Sequence, residues 1–458
     1  MPAVTLKLLC PRSLRPSPTP RPVHDVPTSA RLWRRQAATI ALLFCGYAAY
    51  YFCRADFAVA TPMLADELAV RGISPKDALI RIGDVSSLGV LAYALGKMFL
   101  GGLGDFWGGR RSFLIGLGGA AGFTLLFVSG GALPLFTIAW IGNRLTQSIG
   151  WAGLLKVCSR WFDFSSYGKI VGFLSLSYLI GDAIARHSMG VLIEHGYGWH
   201  ALFYFAAAVA GVLFVLNFIF LRESRVNAGF PEATVNPANL FAGVEERPTS
   251  VRELLLPLLR SRAFVLVCLL SFGCTVVRET FNAWMPVYLH SFVGYSQGRA
   301  ASLSAVFPLL GAASVLVTGW IADRIGANRR ALPLLVGLIA TAVSLGVLTT
   351  VPAGLGNASV ALTLIGVVAF CLLGPYSYLG GAFALDFGGR RAGAMSSGII
   401  DGIGYLGGIL AGDTVARIAG AFGWRGVFIS LAIVCFVSAV AAGCLFVYQR
   451  RHMLRSGA

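Results

Sequence analysis

The chain has 458 residues, of which 56% are apolar and only 12% charged. A soluble domain carries about 25% charged residues, so this chain cannot coat a water-facing surface of its size; a soluble enzyme, a disordered chain and a collagen-like fibre are all excluded. Its 37 Lys and Arg against 20 Asp and Glu leave a net charge of +17, which in a polytopic membrane protein follows from basic cytoplasmic loops and does not point to nucleic acid.

In chain order, residues 1–36 are Pro- and Arg-rich and poor in acids. They read as a disordered basic tail, with an organellar transit peptide as the other reading. Apolar runs of about 20 residues, enough to cross the hydrocarbon core, then follow at approximately 37–64, 83–103, 112–131, 133–157, 169–193 and 199–221. Residues 222–262, with Pro231, Pro237 and Pro248 and mixed charge, form the one long polar connection. Six more runs come at 263–290, 299–321, 331–351, 359–383, 393–417 and 425–448, before a short tail at 449–458. The expectation is an all-α membrane protein of twelve transmembrane helices in two six-helix halves, 37–221 and 263–448. With both termini inside, the inner segments hold 26 Lys and Arg and the outer ones five. The positive-inside rule therefore places both termini in the cytoplasm, with the plasma (inner) membrane expected and an organellar one the alternative. Cys45, Cys53, Cys268, Cys274, Cys371, Cys435 and Cys444 all sit in apolar runs with no CxxC or Cys/His cluster. They read as small buried hydrophobes, and no metal site or cofactor is expected.

The halves repeat. Gly101-x3-Asp105-x2-Gly108 with Arg110-Arg111 returns as Gly319-x3-Asp323-Arg324-x-Gly326 with Arg329-Arg330, Phe162-Asp163-Phe164 as Leu385-Asp386-Phe387, and Tyr197-Gly198-Trp199-His200 as Phe422-Gly423-Trp424-Arg425. Two halves built on one plan imply a cavity between them and rocking about it. The Gly-x3-Asp-x2-Gly-x-Arg-Arg pattern, placed after the second span and again after the eighth, resembles the loop signature of the major facilitator superfamily. Arg144-x2-Gln147-Ser148-x-Gly150 resembles another of its patterns. The resemblance implies a major facilitator fold, with Asp105, Arg110, Arg111, Asp323, Arg324 and Arg144 in gating or structural roles. Phe106 stands where the first copy usually has Arg.

Ionisable residues inside spans cost roughly 2.5–3.5 kcal/mol each on insertion scales and default to functional roles. Arg54, in the first span, shares a helical face with Tyr47, Tyr50 and Tyr51; Arg278, in the seventh, shares one with Ser271, Thr275, Asn282 and Met285. The two arginines occupy corresponding helices of the two halves. Facing guanidiniums repel unless an anion lies between them, and their planar donors match phosphate or carboxylate. Internal pairing, Arg54 with Asp56 and Arg278 with Glu279, is the competing reading. It is weakened because near neighbours on a helix do not face each other. Pairing with Asp182 or Asp401 across the bundle stays open.

Tyr47-Ala-Ala-Tyr50-Tyr51-x-x-Arg54-x-x-Phe57 followed by Pro62 resembles the first-helix signature of the organophosphate:phosphate antiporter family. The resemblance continues through Gly96-Lys97, Gln147-x-x-Gly150-Trp151, Arg160-Trp161-Phe162, Arg278, Trp284-x-Pro286-x-Tyr288-Leu289, Gly374-Pro375 and Gly404-Tyr405-Leu406-Gly407-Gly408. It implies that Arg54 and Arg278 grip a phosphate, with Lys97 a third basic group near the pathway and inorganic phosphate as the exchanged partner. Ala55 stands where the family commonly has Lys, and Tyr178 aligns with a His of the bacterial glycerol-3-phosphate transporters. Those losses lower the positive potential of the cavity, so a smaller, less charged or carboxylate-bearing substrate is credible.

The expected substrate site is Arg54, Arg278, Lys97, Tyr47, Tyr51, Tyr178, Asn282 and Asp401. Asp401 shares a face with Ser397 and Tyr405; it would bond substrate hydroxyls, carry a coupled proton or pair with an arginine. Neither a G-x4-G-K-[ST] loop nor a nucleophile–base arrangement is present, so neither ATP hydrolysis nor catalysis is expected. The reading is a monomeric exchanger of a small phosphorylated anion for phosphate. A proton-coupled carboxylate carrier using Asp182 or Asp401 is the first alternative, and a sugar-phosphate sensor of the same fold the second.

Overall fold

The computed structural model describes residues 26–100, 107–130, 133–233, 251–325 and 331–456. Within lipid every backbone N–H and C=O must be satisfied inside its own segment, which leaves helices as the outcome for apolar runs of this length. The first half consists of α1 (Val26–Val70), α2 (Pro75–Leu100), α3 (Gly109–Ser129), α4 (Leu133–Gln147), α5 (Gly150–Trp161), α6 (Phe164–Glu194) and α7 (Trp199–Phe220). After the connection come α8 (Val251–Arg260), α9 (Arg262–Ser291), α10 (Gln297–Ser304), α11 (Val306–Ile325), α12 (Ala331–Leu348), α13 (Ala358–Tyr378), α14 (Ala384–Ile409) and α15 (Asp413–Ser456). Nine stretches among the described residues are long and apolar enough to cross a membrane. One of them, Ser396–Arg450, contains the twelfth expected run and all but the first three residues of the eleventh. The expected fourth run is divided between α4 and α5, and α6 covers the fifth.

Several expected boundaries move. Residues 26–36, assigned to a disordered tail, form the first turns of α1. The polar connection carries a 3-10 turn at Val226–Ala228 and the helix α8, and α15 runs on to Ser456 through most of the expected tail. For α8 an amphipathic pattern makes a helix outside the apolar runs, which hydropathy alone cannot see. Cys45 and Cys444 are exposed rather than buried; they lie on apolar helices, where the outer face meets lipid.

Two large apolar cores form, with a small third cluster of Val90, Tyr93, Ala94 and Tyr405 between the halves. One is built from residues 43–221 joined by Ala301, the other from residues 258–445 joined by Leu179. The halves meet most closely at the predicted outer end. A Cβ on Gly83 would come within 3.1 Å of the Gly412 carbonyl oxygen, and one on Gly190 would collide with the Gly298 carbonyl oxygen. Glycine at these places is what lets the backbones touch. Ser87 fastens the same end: its hydroxyl donates to the Ile409 carbonyl oxygen at 2.8 Å and accepts from the Asp413 amide at 2.9 Å. Asp66 accepts from Gln297 at 2.8 Å. Among the described residues, every hydrogen bond between the halves lies toward this end except that of Lys97 with Asp401.

Candidate functional site

Arg54 is presented at a break in α1. Cys53 leaves helical geometry (φ −78°, ψ 19°), and the Gln147 side-chain amide donates to its carbonyl oxygen at 3.0 Å. A side chain entering the ladder is a recognised cause of such kinks. Gln147 Oε1 in turn accepts from Arg54 Nε at 3.3 Å, and Arg54 Nη1 donates to the Tyr51 hydroxyl at 3.1 Å. Arg54 also lies over the rings of Tyr51 and Tyr93, at 4.6 and 4.7 Å.

Arg278 comes from α9 in the other half. Its Nη2 donates to Glu279 Oε1 at 2.6 Å and to the Tyr405 hydroxyl at 3.0 Å, and its guanidinium lies 5.0 Å from the Tyr376 ring centre. The ion pair with Glu279 overturns the expectation that successive residues on a helix do not meet. Both arms are long and both lie in the same polar interior. A buried charge left alone costs more than the bend required to pair it. Asp56 does not pair with Arg54; one of its oxygens accepts from the Phe57 amide at 2.7 Å.

Tyr51, Arg54, Tyr178 and Asp182 line one cavity together with Arg278 and Asn282, closed by Phe307, Pro308 and Leu373. Five of the eight expected site residues thus converge from opposite halves. Tyr178 packs its ring 5.7 Å from that of Tyr51. Tyr47 stands behind Tyr51, buried against Trp151, and Tyr50 turns away to donate to the Phe113 carbonyl oxygen at 2.6 Å. Lys97 and Asp401 are engaged with each other at 3.3 Å. Asp401 therefore has a basic partner in the opposite half, a lysine and not the arginine that one of its three expected readings named.

Asp182 is held by Arg186, one turn along α6, at 3.0 Å. Arg186 reaches further, donating to Ser304 Oγ at 3.3 Å and to the Asn282 carbonyl oxygen at 2.8 Å. That carbonyl is available because Pro286, four residues on, has no N–H to occupy it. The proline creates an acceptor, and an arginine of the other half uses it to seal the cavity toward the predicted outer end.

Glu279 and Tyr93 are among the participants absent from the expected substrate site, with Gln147, Tyr376 and Tyr405. Glu279 was weighed only as a discounted partner. Tyr93 sits buried where three cations converge: Arg54, Arg144 at 4.9 Å and Lys97 at 5.4 Å from its ring centre, with the Tyr405 ring 4.9 Å away. Its place one turn before Lys97 on α2 was the available signal. Arg144 is buried between the Tyr93 and Trp140 rings.

The residues 43–412 match the family model described as Major Facilitator Superfamily. The chain belongs to the major facilitator superfamily. It is a multi-pass integral membrane protein of a transporter family, not an enzyme. It is similar to a probable hexose phosphate transport protein of Chlamydia trachomatis, 25% identical over 87% of this chain and 88% of that one. A glycerol-3-phosphate transporter of Bacillus subtilis is 25% identical, covering 93% and 96%. The membrane sensor protein UhpC of Escherichia coli is 24% identical, covering 91% and 93%. These are the relatives that the resemblance to organophosphate:phosphate antiporters leads one to expect. Among solved structures a D-xylose-proton symporter shares the fold, with a TM-score of 0.68 at 14% identity over 88% of this chain and 96% of that one.

Of the superfamily's loop motifs, Asp105 lies outside the described residues, as do the side chains of Asp323 and Arg324. Arg110 Nε donates to the Leu221 carbonyl oxygen at 2.6 Å and its Nη2 to that of Phe218, so it binds the carbonyl end of α7; a cation there also meets the helix dipole favourably. Arg111 is exposed. The start of α3 is capped by Glu223, whose two oxygens accept from the amides of Gly109 and Arg110 at 2.8 and 2.7 Å.

Proposed function

We propose that the chain is a secondary transporter of a phosphorylated small organic anion, of the sugar-phosphate or glycerol-phosphate class, exchanging it for inorganic phosphate by alternating access. The observation carrying this reading is that Arg54 and Arg278, one from each half, line a single cavity. A phosphate bridging them would cancel their repulsion and draw the halves together around it. Glu279 is the counter-charge that makes the empty site tolerable; an incoming phosphate competes with it for Arg278. Tyr51, Tyr178 and Asn282 offer hydroxyl and amide groups to the organic part. Lys97 and Asp401 balance each other beside the site, with Tyr47 as support. Because the empty carrier lacks the bridging anion, it reorients poorly, which enforces exchange.

In this reading residues 37–221 and 263–448 are the rocking halves. Arg144, Arg110, Arg111, Asp105, Asp323 and Arg324 act in gating, both termini face the cytoplasm of a plasma (inner) membrane, and the carrier works as a monomer. The relatives named as hexose phosphate and glycerol-3-phosphate transporters support the substrate class. Similarity to a membrane sensor protein favours a second reading, in which the same site detects its ligand without net transport.

The test is uptake of labelled phosphate into proteoliposomes preloaded with unlabelled phosphate, for wild type and Arg278→Ala. Exchange is expected in the wild type and lost in the variant, with organophosphates then ranked by competition. Folded wild type that binds organophosphate but gives no counterflow would support sensing instead; no phosphate binding at all would discard both.

A further inference from the structure

A second recess lies away from the polar interior, on the lipid-facing flank of the first half, at the end that carries the central connection. It opens between α1 and α7 and has a volume of about 340 Å³. Its walls are apolar, formed by Ala38, Leu42, Leu213 and Leu216, and its mouth holds Arg35 and Arg222. Trp161, 1% exposed, is its floor. The floor fixes both sides of the mouth. The Trp161 carbonyl oxygen accepts from the Gln36 side chain at 3.1 Å, and its indole N–H donates to the Arg222 carbonyl oxygen at 2.9 Å.

The backbones beside the two arginines are thus locked, while their guanidiniums are exposed and have no acidic partner among the described residues. The acids nearby are committed elsewhere. Glu223 pairs with Arg160 at 3.3 Å and caps α3, and Asp163 pairs with Arg225 at 3.1 Å. Phe220 also lines the recess, and with its neighbours Phe218 and Ile219 it presents an apolar surface, each residue more than half exposed.

We propose that this recess binds one acidic phospholipid. Its phosphodiester lies between Arg35 and Arg222, and one acyl chain runs along the Ala38–Leu42 and Leu213–Leu216 walls. Free phosphate would satisfy the arginines but leave the apolar walls unused, and a neutral lipid would fill the walls but leave two guanidiniums uncompensated. A basic mouth at headgroup level above an apolar slot matches an anionic lipid on both counts.

The test is native mass spectrometry of the purified full chain in detergent, titrated with phosphatidylglycerol or with phosphatidylcholine of the same acyl chains. Wild type is expected to retain one phosphatidylglycerol at least tenfold more tightly than phosphatidylcholine. At about 1 kcal/mol per arginine near a membrane surface, the double variant Arg35→Gln/Arg222→Gln is expected to bind it about 30-fold more weakly. The double lysine variant should keep part of the preference. Ala38→Trp, which fills the slot and leaves both arginines, should weaken both lipids. Equal retention of the two lipids by wild type, an undiminished preference in the glutamine variant, or displacement of phosphatidylglycerol by millimolar inorganic phosphate would each overturn the proposal.

Discussion

Lys97 Nζ lies 3.3 Å from Asp401 Oδ2, so α2 of one half and α14 of the other are joined by an ion pair beside the cavity. Lys97 also lies over the Tyr93 and Tyr405 rings, at 5.4 and 5.0 Å. Removing Asp401's charge leaves the lysine as surplus positive potential; removing Lys97's charge does the opposite. At an effective dielectric near 20, two unit charges about 8 Å apart interact by roughly 2 kcal/mol, which sets the upper scale of the effect. Asp401→Asn is therefore expected to lower the KM for phosphate by up to about tenfold, and Lys97→Gln to raise it by a similar factor. Counterflow kinetics at several phosphate concentrations read both. Shifts of the same sign in the two variants would mean the pair acts through structure, not charge.

The contact of Arg186 with the Asn282 carbonyl oxygen is expected to hold the predicted outer end shut. A hydrogen bond from a charged donor contributes about 1.5–3 kcal/mol, enough to move a two-state equilibrium tenfold or more. Pro286→Ala restores a donor inside α9 that competes for the same carbonyl, and Arg186→Gln removes the charge. Both should open the outer end. With Leu373→Cys as a reporter in a cysteine-free background, alkylation by a membrane-impermeant reagent from that side should accelerate at least fivefold. An unchanged rate in both variants would remove Arg186 from the gate.

Glu223 acts far from the cavity. It supplies two acceptors to the first amides of α3 and a carboxylate to Arg160. Loss of such a cap costs about 1–2 kcal/mol. Glu223→Ala is expected to lower the thermal unfolding temperature by several degrees while leaving the KM for phosphate unchanged. A KM change without loss of stability would make this end part of the transport cycle instead.

The pairing of Arg54 with Arg278 across one cavity was legible because each lies on an apolar helix at a corresponding place in a repeated plan. Helical spacing gave Tyr51 and Asn282 their places for the same reason. What single-helix periodicity cannot give is how each helix is rotated against its neighbours. Tyr50 and Tyr51 are adjacent in sequence, yet one bonds α3 and the other bonds Arg54. Glu279 was discounted by a rule for short contacts along a helix, which fails for two long arms in a dry interior. The Pro286–Arg186 relationship was invisible because it depends on a missing backbone donor meeting a side chain from the other half.

Tyr93 shows the same lesson from the other direction, since its place one turn before Lys97 points to one cation and says nothing of the two arginines that meet it there. Arg54, Arg144 and Lys97 all lie within 5.4 Å of its ring centre, and it is nearly fully buried. Each cation–ring contact is worth about 0.5–2 kcal/mol, so the face of the ring, not the hydroxyl, should carry most of the effect. Tyr93→Phe keeps the face and is expected to stay within about twofold of wild type in phosphate counterflow. Tyr93→Leu removes it, lets the guanidiniums move, and is expected to lower kcat/KM at least tenfold at equal amounts of folded protein. A phenylalanine variant as poor as the leucine one would transfer the role to the hydroxyl, and a leucine variant as good as wild type would show that the cations hold their places without the ring.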